Sequence, residues 1–418
     1  MKNTEPTRIE TSADELKHLA DRGDAMLRLS PEMECRVAAQ AGCRVEVRAT
    51  ERDSFTEYHV TGTVGRDADG ADELLAQVAA AVAERGIQPI QEKIYGLSDA
   101  RAAIMKKRDA AYRREELDIG VPVTWIQGTP LQKGEFVGMQ IWGIVPRDGK
   151  TGVTTVTNPT TGAGRLWTGD GFRMLHLPLV RGLRPDGGLA EGAAAQADRM
   201  FTNAGLALKA HGMEYRNVVR TWIYMARLLE WYDEFNRVRT SHYKPAGLGV
   251  KGGAPFPAST GIQGRYSGEE CMMDVLALET NRSGGAVATP VIHSPRQDQS
   301  FNYGSAFSRG MTLEIEGRRT VHISGTASIN AAGESIHVGN AELQSLETML
   351  CIAAILEEQG GGLANITSAT LFCKNREAWE AWNRVSRMLQ IPAFPKICVL
   401  ADVCRHDLLV EMEAVATI

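Results

Sequence analysis

The sequence predicts an α+β fold made of three tandem β-α-β-α-β-β units in one chain, and three observations carry that prediction. A β-type run ending in a small hydroxyl residue and glycine occurs three times, as Val60-Thr61-Gly62-Thr63, Trp167-Thr168-Gly169-Asp170 and Ile323-Ser324-Gly325-Thr326. A helical pattern follows each run, with a glutamine in its first turns (Gln77, Gln196, Gln344) and Leu, Ala and Val at helical spacing after it. Each unit then ends in an apolar β-type segment, at 136–145, 271–278 and 408–417.

Residues 1–41 read as an N-terminal segment with one amphipathic helix over 13–25. The units follow at 42–147, 148–282 and 287–418, parted by the turn-forming stretches Pro146-Arg147-Asp148-Gly149-Lys150 and Thr280-Asn281-Arg282-Ser283-Gly284-Gly285-Ala286. After the glutamine helix each unit has a strand (89–97, 218–226, 366–374) and a more polar helix (about 100–116, 228–243, 376–390). The last two strands, starting near Pro122, Pro257 and Pro395, are expected to pair with each other across a turn. With both helices on one face, each sheet leaves its other face apolar. Three such units cover those faces by packing around a pseudo-threefold axis, an intramolecular pseudo-trimer.

At 418 residues the chain has room for two to four compact units, and 43% hydrophobic with 23% charged residues reads as globular. A formal charge of -5 argues against a general nucleic-acid binder. No apolar run approaches the roughly 20 residues that span a bilayer, and the first residues are polar, so the expectation is a cytoplasmic protein without membrane contact. Seven scattered cysteines without a Cys-x-x-Cys pair read as reduced thiols. The nine histidines have no metal-ligand spacing, so neither a metal nor another cofactor is expected.

The chemistry concentrates at the end of the chain. Glu411 and Glu413 alternate on an apolar strand and so share one face, a costly arrangement that points to proton transfer. Arg220 and Tyr224 lie four apart on a predicted strand and share a face, and Arg239 sits on the next helix. These three either bind a small carboxylated substrate or are ordinary surface residues whose salt bridges are worth little. Ser259, Thr260 and Gly261 offer hydroxyls and amides at a turn, either to hold an anion or only to form the turn.

The unit order, Ser324-Gly325, Gln344 and Val410-Glu411-Met412-Glu413-Ala414 resemble the Rid family, the reactive intermediate deaminases also called YjgF or endoribonuclease L-PSP-like. That resemblance implies Rid/chorismate-mutase-like units with clefts at their seams. A narrower likeness runs through Arg220-Thr221-Trp222-Ile223-Tyr224, Phe256-Pro257-Ala258-Ser259-Thr260-Gly261, Ser294-Pro295-Arg296-Gln297, Ser324-Gly325-Thr326-Ala327-Ser328-Ile329 and Ala401-Asp402-Val403-Cys404-Arg405. These are similar to the chorismatases, Rid-fold enzymes that remove pyruvate from chorismate. Ile223 stands where that family has an asparagine, and the first unit is extra.

The chorismatase resemblance implies Glu411 as general acid, with Arg220, Tyr224, Arg239, Ser259, Thr260 and Gly261 on the substrate. It makes Cys404 a switch toward 3-hydroxybenzoate. The site is expected at the seam of the second and third units, one intact cleft of three, in a monomer open to further association. In the deaminase branch an arginine lies fifteen positions before the first acid of the closing strand. That count leads from Glu411 to Lys396, and in the second unit from Asp274 to Ser259. Lys396 is thus a further substrate-binding candidate, and a 2-imino acid deaminase is the alternative activity. A non-catalytic binding pseudo-trimer is the third reading.

Overall fold

The structure is a computed structural model and describes residues 34–40, 42–65, 70–264, 268–281 and 285–418. The helix expected over 13–25 lies outside the described residues. The first unit runs β1 (Glu34–Gln40), β2 (Cys43–Glu51), β3 (Phe55–Val64), α1 (Ala71–Arg85), β4 (Gln88–Gly96), α2 (Arg101–Arg114), β5 (Thr124–Gln127) and β6 (Phe136–Pro146). The second runs β7 (Gly152–Asn158), β8 (Gly162–Gly169), β9 (Phe172–Arg181), α3 (Ala193–Ala210), β10 (Val218–Met225), α4 (Leu228–Tyr243), β11 (Ala258–Gln263) and β12 (Cys271–Thr280). The third repeats the order with β13 (Ala286–Val291), β14 (Gly310–Ile315), β15 (Arg318–Ala327), α5 (Ala341–Glu358), β16 (Ile366–Cys373), α6 (Arg376–Met388), β17 (Lys396–Leu400) and β18 (Val410–Thr417). No helix among the described residues is long and apolar enough to cross a membrane.

Each unit forms one six-stranded sheet with the same strand order: β1-β2-β3-β6-β4-β5, β7-β8-β9-β12-β10-β11 and β13-β14-β15-β18-β16-β17. Three strands therefore precede the first helix, where the sequence reading has one, and β1 takes in residues assigned there to the N-terminal segment. The run Trp167-Thr168-Gly169 ends β8; the strand matching those of Gly62 and Gly325 is β9. Both β8 and β9 have strand composition, and a turn at Gly169 imitates the end of the longer one.

The last two strands do not pair with each other. A helical crossover leaves β17 parallel to β16, and β18 enters antiparallel between β15 and β16. The glutamine of the helix explains how the closing strand finds that slot. Gln344 accepts from Leu409 N at 2.7 Å and donates to Asp407 O at 2.9 Å, just before β18. Gln196 accepts from Glu270 N at 2.9 Å, just before β12. Gln77 lies one turn further along its helix and bonds Glu73 instead.

Alternation divides each closing strand between two cores. Met412, Ala414 and Ala416 pack under α5 and α6 with Leu350, Ile352 and Trp382. The opposite sheet faces meet around the axis in one core that draws Phe55 and Trp142 from the first unit, Trp167 and Trp222 from the second, and Met311 and Phe372 from the third. The register makes the threefold relation explicit. A one-residue irregularity recurs at Pro89/Gln91, Val218/Arg220 and Ile366/Ser368, and beyond it Tyr95 faces Gly138, Tyr224 faces Met272 and Phe372 faces Glu411.

Polar locks fix the units to one another. Arg52 of the first unit donates to Ile315 O (2.7 Å), Arg318 O (2.9 Å) and Thr320 Oγ1 (2.6 Å) of the third, while also holding Glu57 at 2.5 Å. Burial pushes the Glu57 carboxyl up, but Arg52 and then His59 outweigh it and hold the group well below the usual carboxylate range. Removing the guanidinium would strand a buried carboxylate. Arg52→Ala is therefore expected to cost about 3–5 kcal/mol of stability, read as a lower urea midpoint; an unchanged midpoint refutes the lock.

Candidate active site

The site is built on β18, whose inward face carries Glu411 and Glu413, 3% and 6% exposed. Glu413 lies between two cations from the other units. Arg220 Nη2 of β10 is 2.8 Å from its Oε2, and Lys93 Nζ of β4 is 3.7 Å from its Oε1. Both cations flank the same indole, Arg220 at 4.9 Å and Lys93 at 4.1 Å from the Trp222 ring centroid. Burial pushes the Lys93 ammonium down to about 8, with Glu413 and Asp274 opposing.

Glu411 has no such partner. Its Oε2 is buried without a protein partner among the described residues. Burial, and next the charge of Glu413, push its carboxyl up to about 8, against the lowering effect of the Cys404 thiol and backbone amide and of Arg220. Gly325 lets the carboxyl lie where it does, because a Cβ there would stand 2.1 Å from Glu411 Oε1.

The seam beside it is stitched by short polar contacts. Thr260 Oγ1 accepts from Arg220 Nη2 at 2.6 Å and from Gly325 N at 3.0 Å. Ser259 N donates to Ser324 Oγ at 2.9 Å, and Ser324 passes its own hydrogen to Ser308 O at 2.6 Å. An open cleft of about 610 Å³ runs alongside, walled by Tyr232, Asn236, Arg237, Thr240 and Lys244 on or just after α4 and by Ser305, Cys404 and Arg405 of the third unit. Cys404 lines the cleft and bonds Glu411, so it joins the acid to the open space.

Residues 305–418 match the endoribonuclease L-PSP family model. A 3-hydroxybenzoate synthase of Streptomyces hygroscopicus is 28% identical over 228 residues, which cover 48% of this chain and 64% of that protein. The match thus spans less than two thirds of the relative's length. A chorismatase crystal structure superposes on 88% of this chain and 100% of its own with a TM-score of 0.57 and 19% identity, a likeness of fold. The third unit thus matches the L-PSP family, also called Rid, and the chain is similar to proteins of its chorismatase branch.

The three units are unequal at their seams. In register, Gly138 and Met272 occupy the place of Glu411, while Gln140 and Asp274 occupy that of Glu413. The second unit's counterpart of the acid is therefore Met272, not Asp274 as the count of fifteen assumed. Asp274 is engaged by Thr124 Oγ1 at 2.7 Å and Leu179 N at 2.9 Å. The acid in question occurs at one seam of three.

Several expected substrate contacts are placed differently. Arg220 and Tyr224 do share a face, but Arg220 is spent on Glu413 and Thr260. Tyr224 is buried in the axial core, where Asp274 and Tyr95 are its electrostatic neighbours, and its hydroxyl is pushed well above its ordinary range by burial. Arg239 is 1% exposed, donates to Asn236 Oδ1 at 2.6 Å and lies over Phe235 and Phe307 at the seam. Ser259, Thr260 and Gly261 belong to strand β11 rather than a turn. Only Thr260 faces Glu413's clamp; Ser259 Oγ accepts from Thr221, and Gly261 lies against the Tyr232 ring.

Lys396 is not brought to Glu411. On β17 it shares the helix-side face with Cys398 and Leu400 and lies over Phe394 at 5.1 Å, while Ile397 and Val399 face the axis. Odd and even positions of a strand point oppositely, and the count lands on the wrong parity. Lys93 and Gly325 are the contributors that sequence reasoning missed. Lys93 alternates with Gln91 and Tyr95, which would have put it on the inner face, but only the assembled axis shows what it meets.

The raised carboxyl has a measurable consequence. Unfolded, Glu411 loses its proton near pH 4.5; folded, it keeps it to about pH 8. Its contribution to stability is therefore fully present below 4.5 and is lost as pH rises toward 8. Glu411→Gln is neutral throughout, so urea unfolding at pH 5 and pH 8.5 is expected to differ less in the variant than in the parent.

Proposed function

We propose that this chain is a chorismatase-like enzyme that removes pyruvate from chorismate or a related enolpyruvyl carboxylate. The observation that carries the reading is Glu411: a carboxyl held protonated to about pH 8 at a dry seam, one residue away from an open cleft. A general acid works best when its pKa lies near the working pH. The family relation and the similarity to a 3-hydroxybenzoate synthase support the same reading.

Glu411 delivers its proton to the enol methylene, whose π pair forms the new C–H bond. Positive charge then develops at the ether carbon and is shared with the ether oxygen. Two carboxylates, Glu413 and Asp274, stand against the two cations Arg220 and Lys93, so these four charges do not oppose that step with a net positive field. Water adds to the cation and gives up a proton to the Glu411 carboxylate, leaving a hemiketal; its hydroxyl then becomes the carbonyl of pyruvate as the bond between the hemiketal carbon and the ether oxygen breaks, and that oxygen takes the hydroxyl's proton and stays on the ring as an alcohol. In the aromatising route chorismate becomes 3-hydroxybenzoate and pyruvate with no net water, the ring losing a C–H proton and one hydroxyl. Cys404, small and directly beside the acid, is the residue we assign to that choice.

The imine-hydrolase alternative needs a cation beside Glu411 at position 396, and Lys396 faces away. Incubation with chorismate is expected to yield one pyruvate per chorismate, measured with lactate dehydrogenase, and 3-hydroxybenzoate by chromatography. Absence of pyruvate ends the proposal. Glu411→Gln is expected to lower kcat by about 10²–10⁴-fold, and kcat in the parent falls as pH rises past about 8. Gly325→Ala pushes the carboxyl out of place and is expected to lose activity while the sheet stays folded, as checked by circular dichroism.

A further inference from the structure

On the axis, between the three sheets, lies a small chamber of about 30 Å³ whose lining includes Lys93 of the first unit, Arg220 and Trp222 of the second, and His322 and Glu413 of the third. It is separate from the cleft at the seam, which shares none of these residues. Register relates His322 of β15 to His59 of β3 and His176 of β9, each facing the next-but-two position of its closing strand after the acid layer, at Val415, Trp142 and Leu276. His59 lies 3.6 Å from Glu57, and His176 is bonded to Gln91 at 3.1 Å. His322 differs: it is 2% exposed, and neither ring nitrogen has a protein partner among the described residues. Arg220 lines the same chamber, and its Nη1 has none either.

We propose that the axial chamber is a binding site for ordered water, held by His322 and Arg220 at the point where the three units meet. Donor and acceptor supply selects that ligand. A neutral imidazole offers one donor and one acceptor, and Arg220 Nη1 offers donors only. Burial, and then Arg220, push His322 down to about 3, so the ring is neutral. An anion would face the Glu413 carboxylate and the imidazole lone pair. A cation would face Arg220 and Lys93. Water accepts from the guanidinium and donates to the imidazole, and about 10–15 Å³ per molecule leaves room for one or two. The His322 ring meets Trp142 and Trp222 edge-on, at 5.8 Å and 6.4 Å between centroids.

The test is a crystal structure of the full chain at a resolution that shows ordered water, with a parallel bromide soak. Density within hydrogen-bond distance of a His322 nitrogen and Arg220 Nη1, unchanged by the soak, is the expected result. A chamber without density, or an anomalous bromine peak in it, overturns the proposal. Thermal unfolding gives an independent reading. If the imidazole is satisfied by water, His322→Leu lowers Tm by about 2 °C or more and His322→Gln recovers part of the loss. If the ring is unsatisfied, removing it raises Tm, and a rise refutes the site.

Discussion

The contact on which the structure turns is the grip on Glu413. Three units supply one participant each: the carboxylate from β18, the guanidinium from β10 and the ammonium from β4. Two charges removed from water attract strongly but lose hydration, and such groups persist only where geometry and further hydrogen bonds complete them. Thr260 and the Trp222 ring do that for Arg220, and the same ring faces Lys93. The grip also orders the site, because Thr260 carries it to the amide of Gly325, and Gly325 is the surface against which Glu411 lies.

Two acids on one strand face thus come to different ends. Glu413 meets opposite charge and serves as a fixed counter-ion. Glu411, two residues earlier, meets a thiol, a glycine and apolar surroundings, and keeps its proton. The difference lies in neighbours contributed from far along the chain, and residue type alone does not set it. Each acid helps define the other, since the charge on Glu413 is one of the forces raising Glu411.

Much of the architecture was legible because repetition is a strong signal. Glutamines, helix periods and closing strands recur, and two of the three glutamines turned out to pin the strand that the repeat predicted. The middle unit's starting strand was misplaced because β8 and β9 both read as strands, and pairing order is not written in any local pattern. At the site, parity put Glu411 and Glu413 on one face of their strand, and Arg220 and Tyr224 on one face of theirs. Parity is also where Lys396 fails, because a count across a loop ignores it. What local pattern cannot express is which units meet: Arg220 reads as a substrate ligand until Glu413 is seen beside it, and Lys93 reads as nothing.

The covalent joining of three alike units has an evolutionary consequence. In an assembly of identical subunits every substitution is made in triplicate, so a residue useful at one interface must be tolerated at the others. Here each interface mutates alone. Gly138 and Met272 stand where a third acid and a second would otherwise repeat the cost of burying a carboxyl, and the freed positions became ordinary packing. A lysine from the unit without such an acid can serve a neighbour, a division of labour closed to a symmetric ring.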